Sequence, residues 1–225
     1  RATIYVAEDL DASRLELLRA HGLDLVIFGD GAWDAEKEAR RVAEEKDRVY
    51  VSPYNDPLVL GGQGTCGYEI SRQLPDLDAA FLACGGGGLL GGSAGWLKSS
   101  NPDVEAYGVS PENSPVMYES MRTGKIVEME TFPTLADTCA GGMDLDSITL
   151  DPCLRYAEEI MLLTEKEIEA SIRLLFEQHR LVVEGSAALG VGGLLKRKDR
   201  LKGKKVVAVV CGRNIDLEVF KRIIA

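Results

Sequence analysis

The sequence lacks the means for several common protein classes. Its five cysteines (Cys66, Cys84, Cys139, Cys153 and Cys211) are odd in number and widely spaced, no CxxC pair occurs, and only two histidines are present, His21 and His179. That inventory supports neither a disulfide framework nor a zinc site. Positive charge is in deficit: 26 Lys and Arg stand against 36 Asp and Glu, a formal net charge of −10. Nucleic acids are held mainly by clustered Lys and Arg, so a nucleic-acid partner is disfavoured. The one basic cluster, Leu195 to Lys205, reads as a solvated helix end and loop. No apolar run approaches the ~20 residues of a membrane span, and no signal-peptide pattern opens the chain. The expectation is a cytoplasmic protein with reduced thiols and no membrane partner.

What is present is an ordinary globular composition, 45% apolar and 28% charged over 225 residues, enough to bury a substantial core. Short β-rich runs alternate with helical patterns throughout, the mark of an α/β fold with a doubly wound, mostly parallel sheet. Strands are expected at "TIYVA" (3–7), "DLVIF" (24–28) and "RVYVS" (48–52), with Asp11 capping the first helix and a charged amphipathic helix over 32–46. "SPYNDP" (52–57) is a turn-rich break and the best domain boundary, separating 1–57 from 58–225. Beyond it the pattern predicts a helix over 57–74, the buried strand "DAAFLAC", a helix to about 99, the strand "VEAYGV" and a helix over 116–123. A long irregular stretch, 125–149, follows. The strand "EIMLLT", helices over 165–179 and 184–195, the strand "KVVAVVC" and a closing helix complete the chain.

The stretch "ACGGGGLLGGSAGWLK" (83–98) joins a strand to a helix through four glycines. In that geometry free backbone N–H groups and the positive end of the helix dipole converge on an anion, and glycine permits close approach and positive φ. Tight packing of small residues is the plainer alternative. Gly86, Gly88 and Gly91 also satisfy the dinucleotide pattern G-x-G-x-x-G, but the strand that should supply a ribose-binding carboxylate ends at Val109–Ser110, with Glu112 further into the turn.

Six motifs, "YVSPYNDPLVLGGQGTCGYEI", "GGGGLLGG", "NPDVEAYGVSPENSPVMYES", "PTLADTCAGG", "HRLVVEGSAAL" and "VVAVVCGRNIDLE", occur in an order and spacing that resemble the threonine and serine dehydratases and serine racemases. These are pyridoxal 5'-phosphate enzymes of fold type II, like the tryptophan-synthase β subunit. The resemblance implies that 1–57 is a remnant of the small domain and 58–225 the large cofactor-binding domain. It also implies that Gly85, Gly86, Gly87, Gly88 and Leu89 hold the cofactor phosphate, that Cys211 faces the pyridine nitrogen, that Glu184 lies near the ring, and that Asn55 lines the cleft. On the residues alone, Cys211 reads more readily as a small apolar residue closing a core strand and Asn55 as a local turn capper, while Glu184 is as well explained as a carboxylate favoured by a helix N-terminus.

The implied activity is β-elimination from L-threonine or L-serine, releasing water and then ammonia to leave a 2-oxo acid; racemisation of serine is the neighbouring alternative. The family's Schiff-base lysine, in a segment like Ser-Phe-Lys-x-Arg, and its Asn-rich substrate loop have no counterpart in this sequence. The expectation is therefore a fold truncated at its N-terminus and a chain that is inactive alone. A non-catalytic homologue that binds phosphate, and a dinucleotide-binding protein, are the other classes left open. Exposed apolar surface would favour a homodimer or higher oligomer. Arg213 stands where the family has a glycine, a placement that could lower the pKa of Cys211. Ser110 stands where racemase-like members place a metal-binding carboxylate, so no metal is expected.

Overall fold

The computed structural model of the chain describes residues 2–8, 10 and 12–225, with the backbone alone at 13. The N-cap expected at Asp11 lies outside the described residues. The chain divides into two compact units, 1–52 with 216–218, and 53–215 with 219–225.

In the first unit, β1 (Thr3–Val6) and β2 (Asp24–Ile27) pair in parallel, Thr3 opposite Asp24 and Val6 opposite Ile27. Helices α1 (Ala12–Ala20) and α2 (Ala32–Glu45) follow the two strands, as a parallel pair requires of its crossover. α2 is strongly amphipathic: it buries Ala35 and Ala43, while Arg41 on its wet side pairs with Glu38 and Glu45. The third strand expected at 48–52 does not form, because no strand among the described residues offers that segment a ladder. Its two valines are left 89% (Val49) and 69% (Val51) exposed.

The second unit opens with α3 (Pro57–Gln73). Asp56 caps it, its Oδ1 accepting from the N–H groups of Leu58 (2.7 Å) and Val59 (3.1 Å), and Pro57 takes the first-turn position where no N–H is needed. Then come β3 (Ala79–Ala83), α4 (Gly88–Ser100), β4 (Glu105–Pro111), α5 (Val116–Thr123), a short turn of 3-10 helix at Asp137–Cys139, and α6 (Leu150–Tyr156). β5 (Glu159–Leu163), α7 (Glu165–His179), α8 (Gly185–Arg197), β6 (Val206–Ala208) and α9 (Leu217–Ile224) complete the order. α7 starts on a reciprocal box in which Thr164 and Glu167 satisfy each other's backbone N–H.

The four strands form one all-parallel sheet in the order β5-β4-β3-β6. Alternate side chains of β3 feed two apolar layers. Phe81 joins Val109, Leu163, Ile168, Ile172 and Leu189 on the α7–α8 side, and Leu82 joins Leu90, Leu97, Val104 and Met117 on the α4–α5 side. Helices therefore cover both faces, which is why these strands read as continuous apolar runs rather than alternating ones. α3 and α4 approach so closely that a Cβ on Gly92 would lie 2.4 Å from the Leu60 carbonyl oxygen.

Two further sequence expectations are corrected. α6 was not anticipated, being only seven residues long with Pro152 in its first turn. The last strand is shorter than "KVVAVVC": Val209 N–H still reaches the Phe81 carbonyl at 3.0 Å, but the chain then leaves the ladder before Cys211.

Candidate active site

The sheet order creates the site. From β3 the chain crosses through α4 to β4 on one side; β6, on the other side of β3, is reached from α8, which packs on the opposite face of the sheet. The carboxyl ends of β3 and β6 thus border a topological switch point, where open parallel sheets bind their ligands. Cys84–Gly87 follow β3 there, and Cys211–Asn214 follow β6.

Gly87 caps α4 with φ +82°, a left-handed conformation that a side chain disfavours, and a Cβ there would lie 2.5 Å from Met117 Cε. Added Cβ atoms at Gly85 and Gly86 would lie 2.8 Å from the Cys139 Cα and 2.5 Å from the Tyr54 ring. Close packing therefore explains the glycines at 85 and 86 in part, as the plainer reading of the sequence allowed. The anion-binding feature is the helix end. The bond from Gly91 N–H to the Gly87 carbonyl (2.8 Å) begins the intrahelical series, so the N–H groups of Gly88, Leu89 and Leu90 have no acceptor within α4.

The thiols around this loop are held neutral. The neighbouring Cys153 thiol and complete burial hold Cys84 well above the usual thiol range. Burial pushes Cys139 up to about 12, with Ser186 partly opposing it. Cys211 is exposed as a residue, yet desolvation of its thiol and then the Glu184 charge raise it as well. The expectation that Arg213 lowers Cys211 is thus reversed: Glu184, which lies against the adjoining glycine, is the charge that acts on it. With these thiols protonated, none competes with an anion for the α4 terminus.

Glu184 is the N-cap residue of α8, but its side chain makes no capping bond. It reaches instead over Gly212, where a Cβ would lie 2.4 Å from its Cδ. Its Oε1 accepts from Thr138 Oγ1 (3.2 Å) and its Oε2 from Asn214 N–H (2.9 Å), so the carboxylate is fixed beside Cys211. Asn55 points its polar atoms at the segment before α6. Its Nδ2 donates to Asp144 Oδ2 (3.0 Å) and Asp146 Oδ1 (3.3 Å), and its Oδ1 accepts from Ile148 N–H (3.0 Å).

Three residues that the sequence does not mark are part of this arrangement. Tyr54, buried against Gly86, accepts the Asp144 N–H at its hydroxyl (2.9 Å); Thr138 holds Glu184; Thr149 donates to the Gly86 carbonyl (2.7 Å). Tyr54 and Thr138 lie inside the quoted motifs but have no periodicity or spacing to mark them. Lysines 98 and 196 are engaged elsewhere, Lys98 with Glu158 (2.6 Å) at the far end of α4 and Lys196 with Glu167 (2.9 Å).

A helix N-terminus with unpaired donors, a loop that admits no side chain at Gly85 to Gly87, and neutral thiols together suit a phosphate monoester. At the same switch point Glu184, lying against Gly212, adjoins the Cys211 thiol.

Comparison with known proteins agrees. The model of the family described as pyridoxal-phosphate dependent enzyme matches residues 1–212. The L-threonine ammonia-lyase of Thermotoga maritima is 39% identical over 223 residues, 99% of this chain and 55% of the relative, so the chain spans little more than half of that protein's length. The L-threo-3-hydroxyaspartate ammonia-lyase of Saccharomyces cerevisiae is 33% identical over 224 residues, 100% of this chain and 68% of the relative. The solved structure of the processed form of threonine deaminase isoform 2 from Solanum lycopersicum superposes with a TM-score of 0.89 at 29% identity, covering 99% of this chain and 65% of that one. The α/β architecture is that of fold type II, and the chain belongs to the pyridoxal-phosphate dependent enzymes.

Proposed function

We propose that this chain forms the cofactor-binding part of an ammonia-lyase that deaminates a β-hydroxy amino acid, with L-threonine or L-serine as substrate. The observation that carries the reading is the left-handed glycine cap at the switch point, which presents the first-turn N–H groups of α4 beside the Cys211–Glu184 pair. Gly85 to Gly88 and Leu89 hold the phosphate. Among the donors, the first-turn N–H groups of α4 bear directly on the anion, and Gly85 to Gly87 shape the loop. When bound, pyridoxal phosphate supplies an electron sink for bond breaking at the amino acid's α-carbon.

The chain's own groups set how that sink behaves. A thiol that stays protonated at neutral pH offers the pyridine nitrogen a neutral partner, so the ring is not forced into its protonated, most electron-withdrawing form. Glu184, with both oxygens engaged by Thr138 and Asn214, keeps one orientation beside the ring. Residues 1–57 act as the small domain and 58–225 as the large one, and Asn55 at their junction fixes the loop that reaches α6. None of the chain's lysines occupies a Ser-Phe-Lys-x-Arg-like segment, so this chain alone binds the cofactor without a covalent attachment.

The test is to supply the purified 225-residue chain with pyridoxal phosphate, reduce with borohydride and map the products by mass spectrometry, alongside equilibrium binding. The expected result is saturable, phosphate-dependent binding with no lysine labelled in stoichiometric yield. A lysine labelled one-to-one overturns the non-covalent reading, and absence of phosphate-dependent binding overturns the cofactor site. Release of ammonia and a 2-oxo acid from L-threonine or L-serine, assayed in the protein with its lysine-bearing segment, tests the reaction.

A further inference from the structure

The glycine loop does not hold its own shape. Two carbonyls on it, those of Gly86 and Gly87, are gripped from the α6 side. Thr149, fully buried at the N-cap of α6, donates its hydroxyl to the Gly86 carbonyl at 2.7 Å. Cys153, one turn on and equally buried, directs its thiol at the Gly87 carbonyl at 3.6 Å. Ser147 Oγ lies 2.8 Å from Thr149 Oγ1. The single hydroxyl proton of Thr149 is committed to Gly86, so Ser147 is the donor of that pair and Thr149 the acceptor. Behind Ser147, the Asn55 side chain holds the Ile148 N–H.

A peptide unit is planar and trans, so its carbonyl and N–H point in opposite directions. Holding the Gly86 carbonyl against buried Thr149 fixes the Gly86–Gly87 peptide and keeps that oxygen from turning towards an anion. The Cys153 contact, with the Gly91 N–H bond, fixes the next peptide and so aims the Gly88 N–H out of the helix end. Glycine peptides rotate easily, and Gly87 already occupies a left-handed conformation, so this loop needs an external hold more than most.

We infer that Thr149 is a positioning residue for the anion site: its hydroxyl, backed by Ser147, keeps the Gly86–Gly87 peptide in the orientation that lets α4 bind a phosphate monoester. The inference rests on the cofactor reading above and adds to it a residue outside the glycine motif.

The probe is pyridoxine 5'-phosphate, which carries the phosphate but no aldehyde and so needs no lysine; pyridoxine without phosphate and inorganic phosphate are the companions. Binding to the purified apo-protein is compared for the wild type, Thr149→Val, Thr149→Ser and Ser147→Ala. Thr149→Val is expected to weaken pyridoxine 5'-phosphate and inorganic phosphate by roughly tenfold or more, the usual consequence of leaving a buried carbonyl without its donor. Thr149→Ser restores the affinity, and the weak binding of unphosphorylated pyridoxine does not change. A folded Thr149→Val protein with wild-type affinity overturns the inference and leaves the cofactor site standing. Failure of the wild type to bind either phosphate compound overturns both. If Thr149→Val does not fold, Ser147→Ala decides: a loss of a few-fold confined to phosphorylated ligands supports the inference, and unchanged affinity overturns it.

Discussion

The two compact units hold their strands by different means. In the first, two short strands pair with each other, and among its described apolar residues only the alanines Ala7, Ala35 and Ala43 are buried. In the second, four parallel strands lie between two apolar layers, and side chains as large as Phe81, Leu82, Met117 and Ile172 are buried completely. The contrast bears on function because a glycine loop, whose peptides rotate easily, keeps one shape only where its surroundings hold it. All of the candidate site residues lie in the second unit.

The strongest way to break that comparison is to remove core volume from each unit. Phe81→Ala deletes a buried ring stacked on Tyr107 at 5.0 Å and is expected to cost about 3–5 kcal/mol, read by chemical denaturation. Val26→Ala, on the half-buried β2, is expected to cost about 1 kcal/mol. Native-state hydrogen exchange should follow the same order, with β3 and β4 amides the better protected. Equal costs at the two positions would show that burial does not rank the units.

Alkaline pH sharpens the difference, because every cysteine of the chain lies in the second unit. Burial holds the Cys139 thiol at about 12 against an ordinary 9.0, so folding favours its neutral form. The sign follows: this contribution is complete below pH 9 and is lost as the pH rises from 9 through 12, where the unfolded chain gains by ionising first. Tyr107, also pushed to about 12, by burial first and then by Glu105, acts in the same direction. Cys139→Ala keeps the tyrosine, so the stability difference between the two proteins, measured from pH 8 to 11, isolates the thiol. The variant should show a shallower alkaline decline, with exchange of the β1 and β2 amides unaffected.

How much of this was legible in the sequence depended on whether a signal was local. The glycine run after an apolar strand, the Thr164-x-x-Glu167 box opening α7 and the Asp56-Pro57 start of α3 are decided within a few residues, and each stands where the pattern put it. Glu184 and Cys211 could be named only by resemblance, because what joins them is Gly212, whose missing side chain leaves space for a carboxylate from 28 positions earlier. Thr149 was invisible for the same reason: its partner is Gly86, 63 residues away. α6 escaped because seven residues around a proline carry too little periodicity, and the pKa of Cys211 was misjudged because the neighbour in sequence, Arg213, is not the neighbour that governs it.

The smallest expected effect tests the one strand that sequence pattern predicted and the fold does not contain. "RVYVS" has the β-branched and aromatic residues of a strand, but propensity of that kind measures fit to a pleated, half-buried surface, and here there is none. Val49 and Val51 are 89% and 69% exposed, so replacing a methyl group of either by a hydroxyl sacrifices little buried area. Val49→Thr and Val51→Thr keep the β-branch and are expected to change stability by less than about 0.5 kcal/mol. Val109→Thr, the same change at a fully buried position on β4, places a hydroxyl where water cannot reach and should cost about 1–3 kcal/mol. Thermal unfolding of the three variants side by side measures both. If Val49→Thr proved as costly as Val109→Thr, Val49 would have to be packed against apolar surface in solution, and its assignment as a solvent-facing residue of an irregular connection would fail.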